Sequence, residues 1–297
     1  MMKSREGESD MYEIVKDYRD NKTLRDSFNA LAEKTFGLNF EGWYQNGFWG
    51  DNYNPHSIVL GGKVVANVSV NRTDLLIGGI RKRLYQLGTV MTDESYRGRG
   101  LIRAIMAEVD KTTADADGVY LFGNDSVVEF YPKFGFRKGK EYRYSKTVTQ
   151  TGGSAMENIP MDNAQQWALL DRAMAENVCT FGCEMVDNPQ LIFFYVSQFM
   201  QDCVYYCGAL DAWAVAELED GNLTLHNVFS KQAITLDAVI GAFGSEIKNV
   251  TLGFAPDDAA GWTAEEFHEE DCTFFVRGGV FEEFQARKLR IPSLSHA

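Results

Sequence analysis

Apolar residues recur along this chain at two spacings. Over 23–36, TLRDSFNALAEKTF, Leu24, Phe28, Leu31 and Phe36 fall on or near one helix face, and Gly37 ends the run. Ser57–Leu60, Gly61-Gly62 and Lys63–Val70 read as a β-hairpin with a Gly-Gly turn. Asp74–Ile77, Gly78-Gly79 and Arg81–Thr92 read as a second. Leu101, Ile105 and Val109 return to helical spacing within 101–113. Val119-Tyr120-Leu121-Phe122 is a buried strand. Asn124-Asp125-Ser126 then caps a helix whose apolar positions include Val127, Val128 and Tyr131, and which Gly135 stops. A strand at 142–149 completes an order α, β, β, β, α, β, α, β. Between the first helix and the first hairpin lies LNFEGWYQNGFWGDNYNPHS, a loop too rich in aromatics for a solvated linker. Its rings form either the wall of a ligand pocket or a satellite cluster beneath a long loop.

TQTGGSAMENIP, at 149–160, gathers Gly, Ser, Thr and Asn and reads as a linker. Order resumes with a helix at 163–176. Helical and strand-like pieces follow at 190–200, 204–210, 213–218 and 223–229, with a hairpin turn at Glu219-Asp220-Gly221-Asn222. A helix at 237–243 and strands at 250–254 and 273–276 complete the pattern. A first domain over 1–149, a linker over 150–160 and a second α+β domain over 161–297 are expected, which suits 297 residues.

The chemistry concentrates in QLGTVMTDESYRGRGLIR, residues 86–103. A strand ends in a polar turn, and Arg97-Gly98-Arg99-Gly100 opens directly onto a helix. The first amides of a helix lack intrahelical acceptors and sit at the positive end of its dipole, so this arrangement favours a phosphate. The glycines let backbone approach a ligand without a Cβ in the way. There is no GxxxxGK[ST] loop, and Arg103 stands where the third glycine of a dinucleotide GxGxxG would be.

Composition narrows the partners. Residues 1–150 carry 22 Lys/Arg against 20 Asp/Glu, and residues 151–297 carry 7 against 22. The basic half holds the glycine turn. The acidic half disfavours nucleic acid and either draws in a cationic acceptor or is a solvated face. No stretch is long and apolar enough to span a membrane, and the first ten residues, MMKSREGESD, are charged, so no membrane association and a cytoplasmic location are expected. Cys179-x3-Cys183 and Cys203-x3-Cys207 are read as buried thiols rather than as metal ligands, because structural zinc sites use tighter clusters.

The motif YRGRGLIRAIM after a strand resembles the pyrophosphate loop of the GCN5-related N-acetyltransferases (GNAT), whose pattern is Gln/Arg-x-x-Gly-x-Gly/Ala. Arg97 and Gly100 match, and Ile102 departs from it. GNDSVVEFYPKFGF, ending at Phe136, resembles the family's closing motif, with Tyr131 at the tyrosine position. The run GLIR is similar to the enhanced-intracellular-survival group, which couples a catalytic GNAT domain to a second, GNAT-like one. Many members of that group add a third domain, before which this sequence ends. The resemblance covers 23–149 well and the remainder loosely, which implies a mixed α/β fold with a degenerate second GNAT-like domain.

By that resemblance, the backbone of Val90, Met91 and Thr92 would pair with the pantetheine arm of acetyl-CoA. Gly98, Arg99, Gly100, Leu101, Ile102 and Arg103 would hold its pyrophosphate, with charge from Arg97, Arg99 or Arg103. Asn124, Ser126 and Val127 would lie near the thioester. Tyr131 would be the general acid. The strand RLYQLGTVMT lacks the family's usual glutamate base, leaving a water relay, Glu41, Glu129, the Ala297 carboxylate or the neighbouring His296. In the named subgroup the terminal carboxylate reaches the active site, so Ala297 is the leading expectation. Glu41, Trp43, Tyr44, Phe48 and Trp49 are the expected acceptor-pocket residues. The implied function is direct acetyl transfer to a small-molecule or peptide amine of cationic character, with no metal. The alternatives are a non-catalytic acyl-CoA-binding or sensing protein and a structural interaction protein.

Overall fold

Most of the helices and hairpins implied by the periodicity form, but the sheets they build do not respect the middle of the chain. A computed structural model describes residues 12–178 and 181–296. The first half supplies β1 (Glu13–Val15), α1 (Lys22–Phe36), α2 (Glu41–Gln45), β2 (Tyr53–Leu60), β3 (Lys63–Arg72), β4 (Leu75–Ile77), β5 (Ile80–Lys82), β6 (Leu84–Thr92), α3 (Leu101–Thr112), β7 (Gly118–Gly123), β8 (Arg137–Lys138) and β9 (Glu141–Thr147). The second supplies β10 (Glu157–Asn158), α4 (Ala164–Ala175), β11 (Cys183–Met185), α5 (Pro189–Phe199), β12 (Val204–Cys207), β13 (Ala212–Glu219), β14 (Asn222–Ser230), α6 (Leu236–Ala242), β15 (Asn249–Leu252), β16 (Thr263–Phe267), β17 (Thr273–Arg277) and α7 (Val280–Ala286).

Local rules explain the boundaries. Leu24 N donates to the Asn21 side chain at the start of α1 (3.3 Å), and Gly37 at φ 70° ends the helix. Three local expectations are corrected. The aromatic loop contains the short helix α2. The second hairpin is β4–β5, and β6 starts anew after Arg83. The helix expected from Val127 to Gly135 is two separate 3₁₀ turns, Asp125–Val127 and Tyr131–Phe134. Pro132 lacks an amide, and Asp125 N donates to Asp271 Oδ1 (2.7 Å) from the other half of the chain.

Two seven-stranded sheets result, ordered β1-β2-β3-β6-β7-β17-β8 and β10-β12-β13-β14-β15-β9-β16. Every neighbouring pair is antiparallel except one in each: β6–β7 in the first and β14–β15 in the second. Each parallel pair is joined by a helix, α3 or α6, because parallel neighbours need a crossover. The second sheet thus repeats the plan of the first. The halves also trade strands. β17 pairs with β7, and β9 pairs with β15 and β16. A third, three-stranded sheet joins β11 to the β4–β5 hairpin. The linker segment is docked rather than free: Ala155 and Met156 amides donate to Ala242 O (2.7 and 3.0 Å), and β10 pairs with β12.

One core runs through both halves, from Phe28 and Trp43 to Phe194, Val215 and Phe284. A second lies where α3 covers the first sheet, with Ile58, Leu87, Ile105, Val109 and Tyr131. Cys183 and Cys207 are buried, and Cys203 and Cys272 are half-buried free thiols; Cys179 lies outside the described residues. Among the described residues no cluster could hold a metal ion, and no helix is long and apolar enough to cross a membrane.

Candidate active site

β6 and β7 pair only over Leu84–Leu87 and Gly118–Leu121, and then part. β6 runs on to Thr92 with a bulge, at which Thr89 takes φ 42°. A threonine at positive φ needs support. Asn67 Nδ2 donates to Thr89 O (2.9 Å) and the Tyr53 and Thr89 hydroxyls share a 2.6 Å hydrogen bond. The strands open onto a cavity of about 950 Å³.

All the residues expected at the coenzyme line this cavity. Val90, Met91 and Thr92 form the parted edge of β6. Gly98 and Gly100 both sit at φ 75°, a left-handed conformation that costs glycine nothing, and Gly100 caps α3. Arg97, Arg99, Leu101, Ile102 and Arg103 line the same end. Three guanidinium groups and the N-terminus of a 12-residue helix therefore meet at one turn. Ile102, which breaks the motif, is half-buried against the core under α3. Asn124, Ser126 and Val127 line the opposite wall, and Ser126 Oγ donates to Asn124 Oδ1 (2.6 Å).

Tyr131 also lines the cavity. Its ring packs 5.1 Å from Phe275 of β17, so the exchanged strand helps to place it. Gly123 makes room: a Cβ there would come within 2.8 Å of the Tyr131 ring. Burial pushes the phenol up to about 12, which keeps it protonated at neutral pH.

The aromatic segment behaves differently from its expectation. Trp43 lines the cavity, together with Phe40 and Tyr53. Glu41, Tyr44, Phe48 and Trp49 do not. Arg25 Nε donates to Glu41 Oε2 (2.7 Å), and that hydrogen bond holds the carboxyl below its ordinary range. The Arg25 guanidinium stacks 3.6 Å from the Tyr44 ring. Phe48 packs against Phe193 (4.6 Å between ring centres), and Trp49 Nε1 donates to Tyr53 O (2.9 Å). These four residues anchor α1 and α2. Glu129 is exposed and outside the cavity.

The remaining wall comes from far away in sequence. Leu191, Phe194, Tyr195 and Phe199 of α5 line it, as does His296. The His296 ring stacks on Phe122 of β7 (3.9 Å), and Tyr195 OH donates to His296 O (2.7 Å). His296 Nε2 is buried with no hydrogen-bond partner. Burial, with the nearby Arg290 charge, lowers its pKa to about 3, so the imidazole is neutral. Ala297, the expected base, lies outside the described residues. Among the described residues no carboxylate lines the cavity.

A parted parallel pair, a glycine turn on a helix N-terminus and an inward tyrosine define an acyl-coenzyme N-acyltransferase architecture. Residues 21–139 match the family model of the acetyltransferase (GNAT) domain. That match takes in β6, the glycine turn and Tyr131 and covers less than half of the chain. Among solved structures it is similar to an Enterococcus faecalis protein described as a probable N-acyltransferase (12% identity, 92% of this chain and 74% of that one, TM-score 0.58). It is also similar to a GCN5-related N-acetyltransferase from Kribbella flavida (18%, 91% and 72%, TM-score 0.56) and to Eis1 from Mycobacterium abscessus (12%, 89% and 72%, TM-score 0.52). At these identities the likeness is one of fold. No match was found among curated proteins.

Proposed function

We propose that the chain transfers an acetyl group from acetyl-CoA directly to a primary amine in the cavity between β6 and β7. The observation that carries this reading is the continuity of the parted β6 edge with the Gly98–Gly100 turn. An extended amide-bearing arm can add to the free edge as a strand would, and its diphosphate then falls at a helix N-terminus beside Arg97, Arg99 and Arg103. Four cations, Lys133 included, line the cavity, and among the described residues no carboxylate does.

The residues divide the proton transfers. As the amine nitrogen bonds to the thioester carbon, its N–H becomes acidic, and His296 Nε2 takes that proton. As the carbon–sulfur bond breaks, Tyr131 OH gives its proton to the departing thiolate. The neutral imidazole has a free lone pair at neutral pH, which burial and the Arg290 charge make weakly basic, and the buried phenol keeps its proton until sulfur needs it. Apolar surroundings favour the uncharged amine, which is the nucleophilic form.

Calorimetric titration with acetyl-CoA and a thiol-release assay test the reading. Binding that weakens with salt and turnover with an amine are expected; no binding refutes it. His296→Ala is expected to lower kcat by about 10²–10⁴, whereas removing Ala297 leaves turnover. The opposite result makes the carboxylate of residue 297 the base.

A further inference from the structure

The acceptor end of the cavity is a continuous wall of rings. It starts at the bulge of β6, where Tyr53 OH meets Thr89 Oγ1 (2.6 Å). Tyr53 stacks on Phe40 (5.6 Å), Phe40 on Phe194 (5.4 Å), and Phe194 meets Phe199 edge-on (5.9 Å). Phe199 is 61% exposed and Phe36, also on the cavity wall, 46% exposed. Large exposed phenyls at the mouth of a cavity make an apolar path from solvent to the reaction centre. The four charged side chains of the cavity, Arg97, Arg99, Arg103 and Lys133, sit on the glycine turn, on α3 and in the Tyr131–Phe134 turn.

This wall can take one positive charge, since ring faces attract an ammonium by about 0.5–2 kcal/mol. It cannot take several. Each further ammonium would be desolvated with no carboxylate of the described lining to receive it, at a cost of several kcal/mol. An apolar body gains by displacing water from the rings. Building on the acyltransfer reading, we propose that the acceptor is a primary monoamine with an aryl or alkyl body, lying along Phe199, Phe194 and Phe40 with its nitrogen toward Thr89 and His296. Polyamines and aminoglycosides are the disfavoured acceptors under this proposal.

A thiol-release assay with acetyl-CoA tests the class, using phenethylamine and hexylamine against spermidine and an aminoglycoside. The kcat/KM for phenethylamine should exceed that for spermidine at least about tenfold. Equal or better use of spermidine or the aminoglycoside overturns the proposal, as does acetyl-CoA binding with no turnover of any of these amines. A chain that binds no acetyl-CoA by calorimetry overturns the acyltransfer reading beneath it and this one with it. Phe199→Asp places a carboxylate on an exposed rim position. It should lower kcat/KM for phenethylamine about tenfold and raise that for spermidine. An unchanged ratio between the two amines counts against the proposal.

Discussion

In the first sheet β6 and β7 part after Leu87 and Leu121, and the space between them is a cavity of about 950 Å³. In the second sheet β14 and β15 pair over Asn222–Leu225 and Asn249–Leu252, and there too the pairing stops while β14 runs on to Ser230. That second wedge holds the last residues of the described chain. Ser293 N donates to Gly253 O (2.7 Å), Ser293 Oγ meets His226 Nδ1 (2.8 Å), and Ile291 and Leu294 are buried. The difference follows from what comes after each strand. β6 leads to a turn with two left-handed glycines and a 12-residue helix, whereas β14 leads to α6, of 7 residues, with no such turn. The wedge without a glycine turn is closed by the chain itself. The closing segment then delivers His296 to the open wedge, so the second half works as a holder for part of the first half's site.

Four variants break or sharpen this comparison. Tyr131→Phe should have the largest effect, lowering kcat by about 10²–10⁴ with acetyl-CoA affinity unchanged; kinetics alongside calorimetry check both parts. Gly253→Ala attacks the closed wedge. A Cβ there would collide with Ser293 Oγ and lie 3.0 Å from His226 Cα. We expect a loss of about 1–3 kcal/mol in denaturant unfolding, with activity falling further because His296 moves with the strap.

Gly100→Val attacks the open wedge instead. Nothing lies within 4 Å of a Cβ there, so its cost is the strain of a branched residue at φ 75°, about 1–2 kcal/mol. It should appear mainly as weaker acetyl-CoA binding, about tenfold by calorimetry. The smallest effect is a pH slope. Glu141 Oε1 accepts the Ile291 amide (2.8 Å) at the head of the strap, and burial raises its carboxyl from 4.5 to about 7. A carboxyl with a raised folded pKa binds its proton more tightly when folded. Its contribution is complete below pH 4.5 and is lost as pH rises through about 7. Glu141→Gln should flatten that part of the stability profile in denaturant titrations at several pH values.

The end of the cavity at the glycine turn was legible because it is nearly contiguous. Residues 86–103 and 118–136 carry strand, turn, cap and helix by local rules, and Gly98, Gly100, Asn124 and Tyr131 all line the cavity. The ring-lined end was not. Trp43 was found from its aromatic segment, but Phe194, Tyr195 and Phe199 lie in an apolar run that reads only as helix or strand. Tertiary packing joins the two: Trp43 Nε1 donates to Gln190 O (2.9 Å) across 147 positions. Aromatic density drew attention to Glu41, Tyr44, Phe48 and Trp49, which lie off the cavity: Arg25 holds Glu41 and Tyr44, Phe193 packs on Phe48, and Trp49 Nε1 donates to Tyr53 O.

By itself the sequence determined the glycine turn that opens α3 and the strand, cap and stop over residues 118–136, since each depends on residues close to one another in the chain. Only the tertiary structure decided that β9 and β17 change places, that the second wedge is sealed by residues 291–295, and that one wall of the cavity is a file of rings. Free strand edges and apolar faces carry no address. Which partner each one meets is fixed by the closing of both sheets together.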